Sequence, residues 1–322
     1  MKKIFVIAPS KSLSIVSNEN ISNARKKLCS LGFEVYFAKN AKKIDINYDS
    51  PSISDRINDI IDAFSSDADI VLSAIGGYNC NQLLPYIDYE AIKKNPKIIC
   101  GFSDITALLV AIYTKTGLIT YYGPHFSSFG MINGLDYTVE NFLTILNDKK
   151  NVIKCSEYYR DDPWYINQSE VNNIKNEGLI IINHGIAEGQ ILGGNLCTLN
   201  LLQGTEYMPN MGDIILFIED DDITGNNFFQ EFDRNLESFL QSKLGKNVRG
   251  IVIGKTQKKS CMTLEKWKKM ISNKKSLKKI PIIIGANFGH TTPIFTFPIG
   301  GYAKIEANDK TNIIIGVNKA FL

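Results

Sequence analysis

The sequence predicts an α/β protein with a mostly parallel sheet covered by helices on both faces, followed by a smaller domain of mixed, β-rich character. Three observations predict this class. The 322 residues exceed the usual size of one domain. Short apolar runs alternate with helical stretches as far as about residue 120, a pattern typical of parallel sheets with right-handed crossovers. The second half is richer in glycine and in short β runs.

Composition excludes several classes of partner. The chain is 44% hydrophobic and 21% charged, which is ordinary for a soluble globular protein, and no apolar run approaches the roughly 18 residues of a membrane span. Lys and Arg number 36 against 33 Asp and Glu, and the lysine-rich stretch 266–279 has a single aromatic, Trp267, without repeated interleaving. Neither a nucleic acid nor a membrane is favoured, so we expect a small-molecule partner.

The cysteines and the N-terminal segment indicate the cellular compartment in which we expect the protein to work. The six cysteines are scattered, without a C-x-x-C pair and without a histidine at metal spacing. This favours free thiols in a reducing environment, because a chain this long has core enough without disulfides. The first apolar run stops at Pro9, too short for a signal peptide, and predicts a strand. We therefore expect a cytoplasmic protein without a metal or other cofactor.

The first 120 residues predict a series of strands and helices. In order, the predictions are a strand at 4–8, a helix near 19–31, a strand at 34–38, a helix at about 54–64, and strands at 69–75 and 97–100. Ligands bind at the carboxyl ends of parallel strands. Ser10, the Gly76-Gly77 pair and Ser103 follow three of these strands, so we expect the three loops to converge on one edge of the sheet.

Ser103 lies where a predicted buried strand turns into a helix, in the segment GFSDIT. Apolar residues at 105, 108, 109 and 112 have helical spacing, so the helix begins near Asp104. A hydroxyl at such a corner stands beside the free N–H groups of a helix start and can act as a nucleophile. The alternative is that Ser103 or Asp104 is an ordinary N-cap, and cap preference alone favours that reading.

The turn at Gly76 and Gly77 is a second candidate site element. Glycines there let the backbone approach a ligand and point N–H groups at it, while a plain turn is an equally good interpretation. The spacing of dinucleotide-binding and Walker A glycine loops is absent.

Residues 147–176 break the alternation and predict a linker between an N-terminal domain at 1–146 and a C-terminal domain at 177–322. Trp164 lies in this linker beside three tyrosines, and the group can form an apolar wall of a cleft, with ordinary packing as the favoured alternative. The second half predicts strands at 214–218, 250–254, 281–284, 303–305 and 312–317, with helices at about 227–240 and 264–273.

A serine nucleophile needs a base within hydrogen-bond reach and a third group that orients the base. The histidines are His125, His184 and His290. His290 lies in a loop of Gly, Asn, Thr and Pro, a setting in which polar side chains often face a cleft, and spacing does not rank the other two. Glu219 ends an apolar strand and is a candidate orienting acid, with a solvated turn as the alternative.

Taken together, these residues resemble the LD-carboxypeptidase family of serine peptidases, which includes the microcin C immunity proteins. The resemblance covers most of the chain and lies in the segments IGGYNCNQLLPYIDYEAI (75–92), NPKIICGFSDITALL (95–109), KTGLITYYGP (115–124), EGQILGGNLCTLNLLQGTEYMP (188–209), ILFIEDDD (215–222), FDRNLESFL (232–240), VRGIVIGKTQ (248–257) and NFGHTTPIFTFPIG (287–300). It implies Ser103 as the nucleophile, His290 as the base and Glu219 as the orienting acid of a triad that spans both domains. It also implies a Rossmann-like (flavodoxin-like) first domain and a homodimer.

The implied function is amide hydrolysis of the serine carboxypeptidase type, through an acyl-enzyme. NCNQLLPYIDYE and TGLITYYGP resemble the microcin-immunity branch, which cleaves an amide joining an amino acid to a nucleotide, although Cys80 replaces a small residue, often serine, that is usual there. One alternative is a murein LD-carboxypeptidase that releases terminal D-alanine from tetrapeptides. Another, from a different class, is a non-catalytic binding protein whose two domains close on a small ligand.

Two backbone N–H groups are predicted to stabilise the oxyanion, that of Gly77 in its glycine turn and that of Asp104 at the helix start. We expect a small peptide or a peptidyl- or aminoacyl-nucleotide as substrate. The residues expected to contact it are Gly76, Tyr78, Trp164 and Asn195.

Overall fold

The computed structural model describes residues 1–147 and 150–321 and has the mixed α/β architecture predicted from the sequence. Its helices are α1 (Asn18–Ser30), α2 (Ile53–Ser65), α3 (Tyr89–Lys94), α4 (Thr106–Thr116), α5 (Asp136–Asn147), α6 (Leu196–Asn200), α7 (Phe228–Gln241) and α8 (Leu264–Ser272). Its strands are β1 (Lys2–Ile7), β2 (Phe33–Phe37), β3 (Ile70–Ser73), β4 (Ile98–Gly101), β5 (Thr120–Tyr122), β6 (Lys150–Val152), β7 (Tyr158–Tyr159), β8 (Ile174–Lys175), β9 (Ile180–Asn183), β10 (Gly185–Asn195), β11 (Ile214–Glu219), β12 (Val248–Gly254), β13 (Ile282–Ala286), β14 (Phe297–Ile299), β15 (Tyr302–Ala307) and β16 (Thr311–Gly316).

The first sheet has six strands in the order β14-β5-β4-β3-β1-β2. Strands β1 to β5 pair in parallel, which confirms the predicted mostly parallel sheet. Strand β3 is buried along its whole length, as expected for a strand covered on both faces. The edge strand β14 comes from the second half of the chain and pairs antiparallel with β5. The sequence predicts neither of these two strands.

The second sheet has eight strands in the order β6-β16-β15-β10-β11-β12-β13-β9. Its centre, β10 to β13, is parallel and its flanks are antiparallel, which confirms the mixed, β-rich character of the second half, although this sheet has more strands than the first. The glycine-rich run forms β10. A Cβ on Gly193 would lie 1.7 Å from the carbonyl oxygen of Phe217, so the close approach of β11 requires glycine.

One continuous hydrophobic core joins the two sheets. Strand β14 carries the second half of the chain into the first sheet, and β6 begins the second sheet at residue 150. The domain boundaries at 146 and 176 stay a prediction. All six cysteines are free thiols. Over residues 1–147 and 150–321, no helix is both long and apolar enough to cross a lipid bilayer.

Candidate active site

Three side chains from distant parts of the chain form one hydrogen-bonded series. Ser103 follows β4, Glu219 ends β11, and His290 lies in the loop between β13 and β14. The Nε2 atom of His290 is 3.0 Å from Oγ of Ser103, and its Nδ1 atom is 2.7 Å from Oε2 of Glu219. The Glu219 side chain is 2% exposed and that of His290 is 20% exposed. The hydroxyl, the imidazole and the carboxylate therefore have the spacing that proton transfer requires.

The backbone of Ser103 is left-handed, with φ 58°. Residues with a side chain rarely adopt this conformation, which typically costs about 1–3 kcal/mol and is concentrated at functional sites. The N-cap interpretation is wrong. The 3₁₀ turn at Ser103–Ile105 is preceded by Phe102 and helix α4 by Ile105, and neither start has a side-chain cap hydrogen bond.

The side chain of Asp104 points away from Ser103 and ties two loops together. Its Oδ2 atom accepts hydrogen bonds from the Ser10 hydroxyl at 2.5 Å and from the Cys80 N–H at 2.8 Å. Burial raises the pKa of this carboxyl, and the hydrogen bond from Ser10 opposes the rise. The loops after β1, β3 and β4 meet here, as the sequence predicts.

The backbone of Gly76 and Gly77 packs directly against Ser103 and the first loop. A Cβ on Gly76 would lie 3.3 Å from Oγ of Ser103. Gly77 has φ +157°, and a Cβ there would lie 2.3 Å from Oγ of Ser10. Within the described parts of the chain, the N–H of Gly77 donates no hydrogen bond. Only glycine allows residue 77 to approach Ser10 this closely.

Charge around His290 favours its protonated form. Burial lowers the pKa of His290, but the Glu219 carboxylate and its hydrogen bond outweigh burial and raise the pKa to about 9. Burial and the charge of Glu219 also raise the pKa of the neighbouring Asp220 to about 7. The Glu219 carboxylate therefore stabilises the imidazolium that forms when neutral His290 accepts a proton.

Two further residues contact the acid, and the sequence predicts this role for neither. The Tyr122 hydroxyl lies 2.6 Å from Oε1 of Glu219 and 3.2 Å from the N atom of Ser103. We expect Asn195 to contact the substrate, but it is buried, lies outside the cavity lining, and its Nδ2 atom is 3.4 Å from Oε1 of Glu219. Its Nδ2 atom donates to Asp220 at 3.0 Å, while its Oδ1 atom caps helix α6. The structure thus places Asn195 beside the acid rather than in the cleft.

Ser103 and His290 open into a cavity of about 620 Å³. The two glycines line it, and so do Tyr78, which is 64% exposed, and Trp164 from the predicted linker. Further lining residues include Lys11, Asn20, His125, Met131, Tyr165, Asp221, Asp222, Lys259 and Ile294. The part of the chain that the structure describes holds no group of three or more metal-ligating side chains.

Comparison with known proteins establishes the family. Residues 4–123 match the LD-carboxypeptidase N-terminal domain, and residues 188–305 match the LD-carboxypeptidase C-terminal domain. The chain belongs to the LD-carboxypeptidase family. This confirms the resemblance read from the sequence and makes the protein a hydrolase of the serine peptidase type.

Relatives match this chain along nearly its whole length. The putative carboxypeptidase YocD of Bacillus subtilis is 47% identical over 314 residues, which cover 97% of this chain and 95% of that protein. The microcin C7 self-immunity protein MccF of Escherichia coli is 34% identical over 291 residues, covering 87% and 83%. The probable murein peptide carboxypeptidase of Bacillus subtilis is 29% identical over 329 residues, covering 98% and 93%.

Solved structures share the fold of this chain. An MccF-like protein from Bacillus anthracis is 53% identical with a TM-score of 0.96, and the match covers 98% of this chain and 97% of the other. MccF in complex with glutamyl sulfamoyl guanosine is 32% identical with a TM-score of 0.86, covering 98% and 96%. MccF in complex with aspartyl sulfamoyl adenosine gives the same values.

The other two histidines lie outside the Ser103 series. His125 is buried in the cavity wall, where its Nδ1 atom lies 2.6 Å from Oγ of Ser73 and its ring stacks on Phe102. Burial, with a smaller effect of His290, lowers the pKa of His125 to about 3, so this imidazole stays neutral. His184 lies between β9 and β10, with its Nδ1 atom 3.2 Å from the carbonyl oxygen of Ala307.

Proposed function

We propose that this protein hydrolyses an amide through an acyl-enzyme on Ser103, and that its substrate is an aminoacyl-nucleotide of the type bound by MccF. The observation that carries the proposal is the position of His290, whose ring nitrogens lie 3.0 Å from the Ser103 hydroxyl and 2.7 Å from the Glu219 carboxylate. The arrangement matches the roles of nucleophile, base and orienting acid.

His290 accepts the proton of Ser103 through Nε2 as the hydroxyl oxygen attacks the substrate carbonyl. Glu219 accepts a hydrogen bond from Nδ1–H, keeps the ring in this tautomer and stabilises the imidazolium that forms. The imidazolium then gives its proton to the leaving nitrogen, and the acyl group remains on Ser103. Water deprotonated by the same imidazole hydrolyses the ester and restores the serine.

The N–H groups of Gly77 and Asp104 are proposed to bind the oxyanion. The Gly77 N–H has no partner among the described residues, and the first N–H groups of a helical turn lack intrahelical acceptors. The N–H of Ser103 itself is engaged by Tyr122. Removing one oxyanion donor typically lowers kcat by about 10²–10³.

An aminoacyl-nucleotide is favoured by the relatives and by the cavity. MccF, with which this chain shares 34% identity, binds glutamyl sulfamoyl guanosine and aspartyl sulfamoyl adenosine. The cavity of about 620 Å³ has the size of a small-molecule site, and Trp164, which lines it, offers an aromatic ring on which a base can stack. Gly76, Tyr78 and Trp164 are the proposed contacts for this substrate.

The main alternative is release of D-alanine from a murein tetrapeptide, supported by the family description and by the murein-peptide relative. A non-catalytic binding protein is not supported, because the family is one of peptidases.

A direct competition between substrates tests the proposal. The purified protein is offered an aspartyl-phosphoramidate of adenosine and, separately, a murein tetrapeptide, and the products are quantified by mass spectrometry. We expect the nucleotide amide to be cleaved with a kcat/KM at least about 100-fold above that of the tetrapeptide, a gap of about 2.7 kcal/mol. The reverse ranking supports the alternative, and no product from either substrate contradicts the proposal.

We further propose that the protein acts in the cytoplasm as a homodimer. The six free cysteines and the family resemblance support this. Sedimentation equilibrium of the purified protein tests the assembly, since a mass near twice 36.0 kDa is expected and a mass of 36.0 kDa contradicts it.

A further inference from the structure

Tyr122 connects the acid of the Ser103 series to the backbone of the nucleophile. Its side chain is fully buried at the end of β5. The hydroxyl oxygen lies 2.6 Å from Oε1 of Glu219, the oxygen that His290 does not use, and 3.2 Å from the N atom of Ser103. The Tyr122 hydroxyl thus contacts both Glu219 and the backbone of Ser103, which are otherwise linked only through His290.

The direction of each hydrogen bond follows from chemistry. A backbone N–H can only donate, so the Tyr122 oxygen accepts from Ser103. The single phenolic hydrogen is then directed to the Glu219 carboxylate, which can only accept when it is ionised. This second bond is charge-assisted and therefore among the stronger kinds in proteins. The contacts close a ring from the Ser103 N–H through Tyr122, Glu219 and His290 back to the Ser103 hydroxyl.

The ring fixes two features that the proposed chemistry needs. The bond to Oε1 holds the carboxylate so that Oε2 faces Nδ1 of His290. The bond from the Ser103 N–H holds a backbone with φ 58°, a conformation that residues with side chains rarely adopt.

The phenol ring is itself held by packing. Tyr122 stacks on Phe297 with ring centroids 4.9 Å apart, and these residues are paired across β5 and β14. It also makes T-shaped contacts with Phe288 and Phe102, with ring centroids 6.4 Å and 6.3 Å away. A rigid ring delivers its hydroxyl to one place, which is what a positioning group requires.

We propose that Tyr122 is a positioning residue for the reaction of Ser103, acting through the orientation of Glu219 and the backbone of the nucleophile. The role rests on the proposed function. If Tyr122 only filled the core, its hydroxyl would be dispensable, because phenylalanine preserves the packing.

Tyr122→Phe tests the role, with Tyr121→Phe as the matched control. Tyr121 is the preceding residue of β5, is 7% exposed, and its hydroxyl has no hydrogen-bond partner within residues 1–147 and 150–321. We expect Tyr122→Phe to lower kcat by about 10- to 100-fold, as for loss of a hydrogen bond to a charged group, and to change KM by less than about threefold. Tyr121→Phe should stay within about twofold of wild type in both constants.

The pH profile gives a readout that loss of packing alone would not move. Without the phenol, the negative charge of Glu219 is less compensated, so protonated His290 is held more strongly and the acidic limb of kcat/KM moves to higher pH. Thermal unfolding and near-UV circular dichroism verify that both variants are folded.

The outcomes are distinct. A wild-type kcat and an unmoved acidic limb for Tyr122→Phe overturn the inference, and so does an effect confined to KM. Ser103→Ala is assayed in parallel. If Ser103→Ala loses turnover while Tyr122→Phe keeps it, only the inference fails; if Ser103→Ala keeps wild-type turnover, the proposed function fails and the inference with it.

Discussion

Gly289 approaches Glu219 so closely that a Cβ on the glycine would lie 2.6 Å from Oε2 of the carboxylate. Oε2 is the atom that faces His290, the residue next to Gly289. The glycine has φ +102°, in the left-handed region that side chains disfavour. Both the lack of room for a Cβ and the left-handed backbone require glycine at position 289. The room is missing because the His290 imidazole and the Glu219 carboxylate meet beside it.

Gly289→Ala is expected to lower kcat by about 100-fold, because a displacement of about 1 Å at a reacting group costs that much. Steady-state kinetics measures it. Gly134→Ala is the control, since Gly134 also has a positive φ of +81° but a Cβ there meets no atom within 4 Å. Equal kcat values for the two variants would show that Gly289 contributes only its backbone conformation.

The activity is expected to rise with pH through the titration of His290. The base must be neutral to accept a proton, and Glu219 raises the pKa of His290 against the effect of burial. The kcat/KM profile should therefore have an acidic limb with its midpoint above the ordinary histidine value of 6.5. In Glu219→Gln the charge is removed, burial dominates, and the midpoint should move to lower pH while kcat falls. An acidic limb with the same midpoint in wild type and in Glu219→Gln would contradict the pairing of Glu219 with His290.

Asp220→Asn is expected to raise the melting temperature at pH 8 but not at pH 4. Burial and the charge of Glu219 raise the pKa of Asp220 to about 7, so the folded state binds its proton more tightly than the unfolded state. The free energy of unfolding therefore falls as the pH rises from about 4 to 7. The amide of Asp220→Asn does not ionise, so the variant avoids this loss of stability. Differential scanning calorimetry measures it, with the exposed Asp309→Asn as control. A melting temperature at pH 8 equal to that of wild type would contradict the pKa shift.

Trp164→Ala is expected to raise KM for an aminoacyl-nucleotide by about 5- to 150-fold, because base–aromatic stacking contributes about 1–3 kcal/mol. Its ring lines the cavity, whereas Tyr158, a control from the same segment, is exposed and outside the lining. Initial-rate kinetics compares Trp164→Ala with Tyr158→Ala. Equal KM values for these two variants would remove Trp164 from the binding site.

The sequence predicts the first sheet well because its strands are short apolar runs separated by amphipathic helices. Helix α1 was predicted near 19–31 and is found at Asn18–Ser30, and α2 was predicted at about 54–64 and is found at Ile53–Ser65. Strand β14 is not predictable in the same way. It is three residues long, contains a proline, and obtains its hydrogen bonds from β5, a strand far away in the chain.

The candidate site was predicted in part. Ser103 was placed at the right corner, but its positive φ has no signal in a Ser-Asp sequence, and local preference favoured a cap. Tyr122 was missed because a tyrosine in a short strand is ordinary, and its partner Glu219 is 97 residues away. The sequence signal that could have indicated Tyr122 is the aromatic pair before Gly123 and Pro124, in the segment KTGLITYYGP that resembles the family. Asn195, which we expect to contact the substrate, instead has its amide used by Asp220 and α6.

Covalent labelling tests directly whether Ser103 is the nucleophile. The protein is treated with a serine-reactive fluorophosphonate, digested, and mapped by tandem mass spectrometry, with Ser103→Ala and His290→Ala in parallel. We predict one adduct, on Ser103, absent from Ser103→Ala and formed at least about 100-fold more slowly in His290→Ala, as for loss of a general base. An adduct on another residue, or labelling of wild type that is no faster than of His290→Ala, would contradict the account.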